Sequence, residues 1–297
     1  MQSLVLDLRE NGGGYLNSAT KLTDEFLPEK NLIVYTQGLH EPRTDYYASA
    51  KGDFEKGKLV VLIDEKTASA SEIVAGAIQD LDRGIIVGRQ SFGKGLVQEQ
   101  FNFGDGSVLN LTVARYYTPS GRSIQRSYKN GIEAYYHEAY ERQGKESELK
   151  TGPKPVDSSS NKTYKTATGR VMYGGGGIMP DVYVPADTSG RTDFYYTVSA
   201  KGLLESFLFN HLLTTPKLSE KDYLDKFELA PQQYKTFVSI AAGKGIKSNS
   251  RQIELSKPLI EKELKALLAR YYYGDEMFYK VLNTSDRDIA RSLDVLR

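Results

Sequence analysis

Over the first hundred residues, short unbroken apolar runs alternate with stretches in which apolar side chains recur every three or four positions. Leu4–Leu8 predicts a strand, Leu32–Thr36 a second, and Leu59–Ile63, apolar without a break, a strand buried on both faces. Gly84–Gly88 predicts another short buried strand. Between these, Tyr15–Leu27 carries Leu16, Ala19, Leu22 and Phe26 at helical spacing and stops at Pro28. The spacing of Ala70, Ile73, Val74, Ala77, Ile78 and Leu81 predicts a second helix over 70–81. Strand, helix and strand in succession predict an α/β fold whose sheet is at least partly parallel.

Downstream the period changes. Val97–Phe103 and Ser107–Tyr117 read as extended, with Gly104-Asp105-Gly106 as a hairpin turn between them. Residues 128–170 are polar, and Thr151–Ser160 reads as a solvated loop. Gly174–Gly177 leads into Ile178–Val184, one more strand. From about residue 192 the pattern is helical, best over Phe194–Leu213, Lys221–Ala242 and Pro258–Tyr273. The last has Ser256 as N-cap, Pro258 in its first turn and Gly274 at its end. The expected organisation is a core over 1–127, a polar insertion over 128–170, a strand segment returning to the core over 171–190, and a helical region over 191–297.

Composition narrows the chemistry. The chain has 297 residues, enough for a full core, and is 39% hydrophobic and 26% charged, which predicts a globular protein. Lys and Arg (39) nearly balance Asp and Glu (38), which argues against nucleic acid or an anionic membrane as partner. There is no cysteine, so disulfides, thiolate metal sites and a cysteine nucleophile are excluded together. No apolar run approaches the ~20 residues needed to span a bilayer. The amino end lacks the basic flank and apolar stretch of a signal peptide. It opens directly on a strand, and the expectation is that further sequence precedes Met1.

Two segments place reactive side chains between a strand and the next element: Thr67-Ala68-Ser69-Ala70-Ser71-Glu72-Ile73 and Ser91-Phe92-Gly93-Lys94-Gly95-Leu96-Val97-Gln98. A serine needs a base. The three histidines, His40, His137 and His211, lie in no turn-rich motif, and no G-x-S-x-G elbow surrounds a serine. A neutral lysine is the remaining strong base, and Lys94 has glycines on both sides with Phe92 and Leu96 to exclude water. Removing its proton at neutral pH costs about 4 kcal/mol, which an apolar pocket can supply.

Each position also has a plainer role. Taken alone, Ser69 reads first as the N-cap of the 70–81 helix, although the same helix start offers the Ala70 amide to a developing oxyanion. Glu72 reads as a first-turn carboxylate complementing the helix dipole, Asp80 as a surface helix residue, and Gln98 as a solvent-facing strand residue. Gly88-x-x-x-x-Gly93-Lys94 follows a strand as a phosphate-binding loop does. However, Gly95 stands where a magnesium-binding Ser or Thr belongs, and a strand follows in place of a helix. Ser91-x-x-Lys94 matches an S-x-x-K pair without the companion motifs. The paired tyrosines, among them Tyr116-Tyr117, Tyr135-Tyr136 and Tyr271–Tyr273, suit core packing, with some available to line a peptide groove.

Asp7-Leu8-Arg9-x-Asn11-x-Gly13-Gly14, the Thr67–Ile73 segment and Phe92-Gly93-Lys94-Gly95-x-Val97-Gln98 jointly resemble the carboxyl-terminal processing (tail-specific) serine peptidases. Their order and the 25-residue separation of Ser69 from Lys94 fit that pattern. The resemblance covers about 1–125 and returns at Gly177–Val184. It implies a mixed-sheet protease core of crotonase/ClpP-like ββα type, followed here by a helical C-terminal region. By position it implies Ser69 as nucleophile, Lys94 as general base and Gln98 as the group orienting the lysine. Ala70 and an amide of the Asn11–Gly14 turn, Gly12 or Gly13, would form the oxyanion hole, with Glu72 in support.

It further implies polypeptide substrates, no metal or organic cofactor, and an extracytoplasmic place in a bacterial envelope. An exported leader, a PDZ domain and an early core strand would be expected upstream, and an unpaired core edge would favour homo-oligomers. The alternatives are a catalytically impaired fragment serving as a peptide-binding or scaffold protein and, more distantly, nucleotide binding at Gly88–Lys94.

Overall fold

The structure is a computed structural model that describes residues 1–49, 51–138 and 162–297. The loop expected over Thr151–Ser160 lies outside the described residues. The chain forms two compact units, one of Met1–Ala186 with Ala290–Arg297, the other of Asp187–Ile289.

The first unit is mixed α/β. Four strands, β1 (Ser3–Asp7), β4 (Lys58–Ile63), β5 (Ile85–Gly88) and β10 (Val182–Tyr183), form a wholly parallel sheet in the order β1-β4-β5-β10. Inner strand β4 is buried from Leu59 to Ile63, as its unbroken apolar run predicts. Strand β1 falls within one residue of the strand expected over Leu4–Leu8. It is an edge strand and its apolar residues are half-buried. The strand expected over Ile178–Val184 shrinks to two residues, because Ile178 pairs with Ser91 outside the ladder and Pro180 has no N–H to give. Asp181 instead accepts the Ile86 N–H through its carboxylate at 2.8 Å.

A second, antiparallel sheet has the order β3-β2-β7-β6, from β2 (Leu32–Gln37), β3 (Thr44–Tyr47), β6 (Leu96–Asn102) and β7 (Val108–Tyr117). Strand β3, Thr-Asp-Tyr-Tyr, is too polar to register as an apolar run and is found only through its pairing with β2. The polar stretch after the core contains helical residues 132–138 (α3) and a small hairpin of β8 (Thr163–Lys165) and β9 (Val171–Tyr173).

Helix α2 (Ala70–Asp80) packs on α1 (Leu16–Asp24) and touches strands of both sheets. The sequence predicts a one-sided stripe, yet every residue of α2 is buried. Ile73, Val74 and Ile78 contribute roughly 1.5–3 kcal/mol each through the apolar surface they remove from water. Its buried polar residues require partners. Asp80, expected at the surface, is fully enclosed and ion-paired with Arg122 at 2.7 Å, and Gln79 accepts from Arg122 and donates to the Met179 carbonyl.

The second unit is helical, and its boundaries follow local chemistry more than period. The run expected over Phe194–Leu213 divides at Gly202 (φ +61°) into α4 (Asp193–Ala200) and α5 (Leu203–Phe207), which continues as a π-helical turn through Leu212. That expected over Lys221–Ala242 divides into α6 (Glu220–Lys226) and α7 (Pro231–Gly243), with Pro231 in the first turn of α7. Helix α8 (Ser250–Tyr273) starts eight residues before Pro258. Its N-cap is Asn249, which accepts the Gln252 N–H at 2.9 Å while Gln252 accepts the Asn249 N–H. Ser256, expected to cap, is buried inside α8 and donates to the Gly190 carbonyl. Helix α9 (Asp275–Asn283) follows. Phe194, Phe207, Phe237, Leu264 and Tyr223 are central to this unit's core. Among the described residues no helix is long and apolar enough to cross a membrane.

Candidate active site

Parallel strands end at the same edge of their sheet, so the loops leaving β1, β4 and β5 are gathered there. These are the Asn11–Gly14 turn, the 64–69 loop entering α2, and the 89–95 loop entering β6. Main-chain hydrogen bonds join them. The Ala68 N–H donates to the Asn11 carbonyl at 3.0 Å and the Phe92 N–H to the Thr67 carbonyl at 2.9 Å. Thr67 Oγ1 donates to the Leu8 carbonyl, and the buried Asp64 carboxylate accepts the N–H groups of Glu10, Lys66 and Thr67.

Ser69 stands at the start of α2 with φ +57° and ψ −119°, a conformation that non-glycine residues rarely adopt and that costs on the order of 1–3 kcal/mol. Its hydroxyl makes no capping hydrogen bond, so the N-cap role expected of the side chain is absent. The Ser69 carbonyl, not the hydroxyl, accepts the Glu72 and Ile73 N–H groups. Gly13 (φ +97°) lies directly against this turn. A Cβ there would stand 2.8 Å from both Ser69 Cβ and the Ala70 nitrogen. The absence of a side chain at 13 therefore keeps the Ala70 amide open. The Gly13 N–H itself donates to Asn11 Oδ1 at 3.0 Å, which takes it out of the expected oxyanion pair. The Gly12, Gly14 and Ala70 amides have no acceptor among the described residues.

Two buried side chains join Ser69 to Lys94. Glu72, fully enclosed, accepts four hydrogen bonds: Oε2 from the N–H groups of Ser69 (2.8 Å) and Lys94 (2.9 Å), Oε1 from the Gly93 N–H (2.8 Å) and Ser91 Oγ (2.5 Å). Ser91 Oγ in turn accepts the Ile178 N–H, which anchors the segment leading to β10. Tyr116, on β7 and 2% exposed, directs its hydroxyl at the carbonyls of Ser69 (2.9 Å) and Lys94 (2.7 Å). The N–H groups of both residues thus meet one carboxylate oxygen, and their carbonyls meet one phenol. Burial pushes the Glu72 carboxyl above its ordinary value, against the pull of its four donors. Burial likewise pushes the Tyr116 phenol well up, with the Glu72 charge adding to it, so the hydroxyl stays a donor.

Lys94 and Ser69 are half-buried and Gln98 is exposed on β6, opposite Thr112. Among the described residues no hydrogen bond joins Lys94 Nζ to Ser69 Oγ or to the Gln98 amide. Lys94, Ala68, Gln98 and Phe92 line a cavity of about 470 Å³, and Ala70 with Gly13 and Gly14 borders another of about 140 Å³. Of the expected site residues, the structure brings Ser69, Ala70, Glu72, Lys94 and the Asn11–Gly14 turn together. Tyr116 carries no local motif, and only its place on a strand crossing the site reveals it. Glu72 was visible in the sequence, but its link to Ser91 and the 93–94 amides was not. The strand that follows Lys94 removes the helix start on which a phosphate-binding loop at Gly88–Lys94 depends. Among the described residues no cluster of three or more His, Asp or Glu side chains could hold a metal ion.

Residues 1–136 match peptidase family S41, and residues 194–274 match a family of unknown function, DUF8443. The chain is 49% identical over 126 residues to the carboxy-terminal-processing protease of Bartonella bacilliformis, across 42% of this chain and 29% of that protein. It is 42% identical over 122 residues to the carboxyl-terminal-processing protease of Synechocystis sp., across 41% and 28% respectively. A solved structure entitled photosystem II D1 C-terminal processing protease is 40% identical over 42% of this chain and 32% of that chain, with a TM-score of 0.39. The similarity to carboxyl-terminal processing peptidases that the motifs point to is therefore present across the S41 region. The chain spans less than a third of the length of these curated relatives.

Proposed function

We propose that the chain is a serine endopeptidase acting through a Ser69–Lys94 dyad on extended or carboxyl-terminal segments of polypeptides. Ser69 Oγ attacks the peptide carbonyl as the uncharged Lys94 amine takes its proton. The lysine returns that proton to the departing amine, and then removes one from the water that releases the acyl group. Ala70, with a Gly12 or Gly14 amide, receives the oxyanion charge, a donor of this kind being worth roughly 3–4 kcal/mol. Gln98 orients the lysine once substrate is bound. The core is of crotonase/ClpP-like ββα type, residues 1–127 with 171–190 forming the catalytic part. The protein works on the extracytoplasmic side of a bacterial envelope.

The observation that carries this function is the shared clamp: one carboxylate oxygen and one phenol hold the main chains of Ser69 and Lys94 side by side, beside an open Ala70 amide. Ser69→Ala is expected to lower cleavage of unfolded casein by more than about a thousandfold with the fold intact. Lys94→Arg is expected to do the same, because arginine keeps its proton. Activity retained by either variant overturns the assignment.

A second function, a peptide-binding or scaffold protein with an impaired site, is favoured by the missing hydrogen bond between Lys94 Nζ and Ser69 Oγ among the described residues. Casein digestion separates the two, since only the first degrades it.

A further inference from the structure

The cavity beside Lys94 has one wall made almost wholly of aromatic rings. Phe92 meets Tyr135 edge-on at 5.5 Å, Tyr128 stacks on Tyr135 at 4.3 Å, and Tyr136 lies 5.4 Å from Tyr135 and 6.2 Å from Phe92. Tyr135 is fixed: it is 3% exposed, and its hydroxyl is 3.1 Å from the Gly93 carbonyl and 3.2 Å from Gln125 Nε2. Tyr128 and Tyr136 flank it with 42% and 54% of their surface open. Of the charged residues at the cavity, Glu65 is matched by Arg89 at 2.9 Å and Lys66 by Glu10 at 2.8 Å, which leaves Lys94, the proposed base, as the third. Behind the wall the buried Arg126 guanidinium sits 4.5 Å from the centres of both Phe92 and Tyr135. A cation entering from the front would meet, at Phe92, a ring that already holds a positive charge on one face.

We infer that this cavity selects the substrate, taking a bulky uncharged side chain, aromatic or long aliphatic, from the residue next to the scissile bond. The inference rests on the peptidase function proposed above, since the cavity is adjacent to the active site only if Ser69 and Lys94 form one. Its volume of about 470 Å³ lies in the range of small-ligand pockets and leaves an alanine methyl without wall contacts on most sides. Ala68, directly before Ser69, and Lys94 itself lie on its boundary, so the guest side chain belongs to a residue at the reacting peptide bond. Tyr136 and Phe92 are specificity residues that touch the guest, and Arg126 is a positioning residue acting through them.

The test is binding to the full chain carrying Ser69→Ala, so that no cleavage is needed. Fluorescein-labelled peptides, identical except for one central Phe, Leu, Ala or Lys, are titrated by fluorescence anisotropy. Phe and Leu peptides are expected to bind at least about tenfold more tightly than Ala, and Lys most weakly. Adding Tyr136→Ala should erase most of that ratio, while Tyr136→Phe should keep it. Because Tyr136 is largely exposed, its truncation does not threaten the fold; Phe92→Ala is the companion variant. Equal affinity for Phe and Ala peptides, or a ratio unmoved by Tyr136→Ala, overturns the inference. A preserved ratio in a chain whose Ser69 form cuts nothing supports the pocket and overturns the peptidase proposal alone.

Discussion

The two units share one device for enclosing polar groups and differ in what they add to it. In the helical unit, core tyrosines place their hydroxyls on stray main-chain carbonyls: Tyr223 on Lys265, Tyr234 on Ile253, Tyr272 on Leu213 and Thr215. These are neutral donors at the margin of an aromatic core, and each needs one partner. The α/β unit uses the same device at Tyr116 and adds fully enclosed charged side chains, Glu72 among four donors and Asp80 against Arg122. Enclosed charge is costly even when paired, and replacing such pairs by apolar residues is often neutral or stabilising. A fold that needed only stability would be built like the helical unit. Glu72 stands where it fixes the relative position of Ser69 and Lys94, the two residues of the proposed dyad.

Breaking that contrast should show first at Glu72. Glu72→Ala leaves three amides and the Ser91 hydroxyl without their acceptor, and is expected to cost about 3–5 kcal/mol in denaturant unfolding and to abolish casein cleavage. A loss below about 1 kcal/mol would show that the clamp is slack. In the helical unit Phe237→Ala should cost a similar roughly 3–4 kcal/mol by cavity formation, with no specific effect on the chemistry at Ser69. Smaller changes sharpen the picture. Tyr116→Phe removes a single hydroxyl shared by two carbonyls and should cost about 1–2 kcal/mol while lowering casein turnover roughly tenfold. Tyr223→Phe removes one 2.7 Å bond in the other unit and should cost about 1 kcal/mol, with turnover unchanged.

The smallest effect is one of slope. Because burial raises the Glu72 carboxyl in the folded state, its contribution is full below the ordinary glutamate value and is lost as pH rises through the raised one. The stability advantage of the parent over Glu72→Gln should therefore shrink from mild acid toward neutrality in equilibrium unfolding. An advantage that grows over that interval would mean that the four hydrogen bonds outweigh burial.

Much of the parallel sheet and the two reactive loops were legible in the sequence, for a physical reason. Strands such as Leu59–Ile63 are buried on both faces and must be apolar throughout, and the turns after them need particular residues such as Gly13. The less legible parts depend on distant partners. Asp80 reads as an ordinary surface carboxylate until Arg122 is placed against it. The 220–243 segment keeps a helical period across its break, because Phe227 and Leu229 are as apolar in the bend as in a helix. Helix α8 begins early because Asn249 and Gln252 cap each other, a signal outweighed by the more visible Ser256 and Pro258. Tyr116 is one of 21 tyrosines, and nothing local sets it apart.

The double clamp also bears on how the site is tuned. Glu72 and Tyr116 act on the peptide groups of Ser69 and Lys94 and leave the hydroxyl and the amine unrestrained by hydrogen bonds to described residues. Under the proposed dyad, the freedom left to Oγ and Nζ is that of side-chain torsions, which change on the picosecond-to-nanosecond scale. Alignment of the reactive pair would be fast relative to any turnover, so a substrate could gate the chemistry simply by crowding the lysine stem into one rotamer.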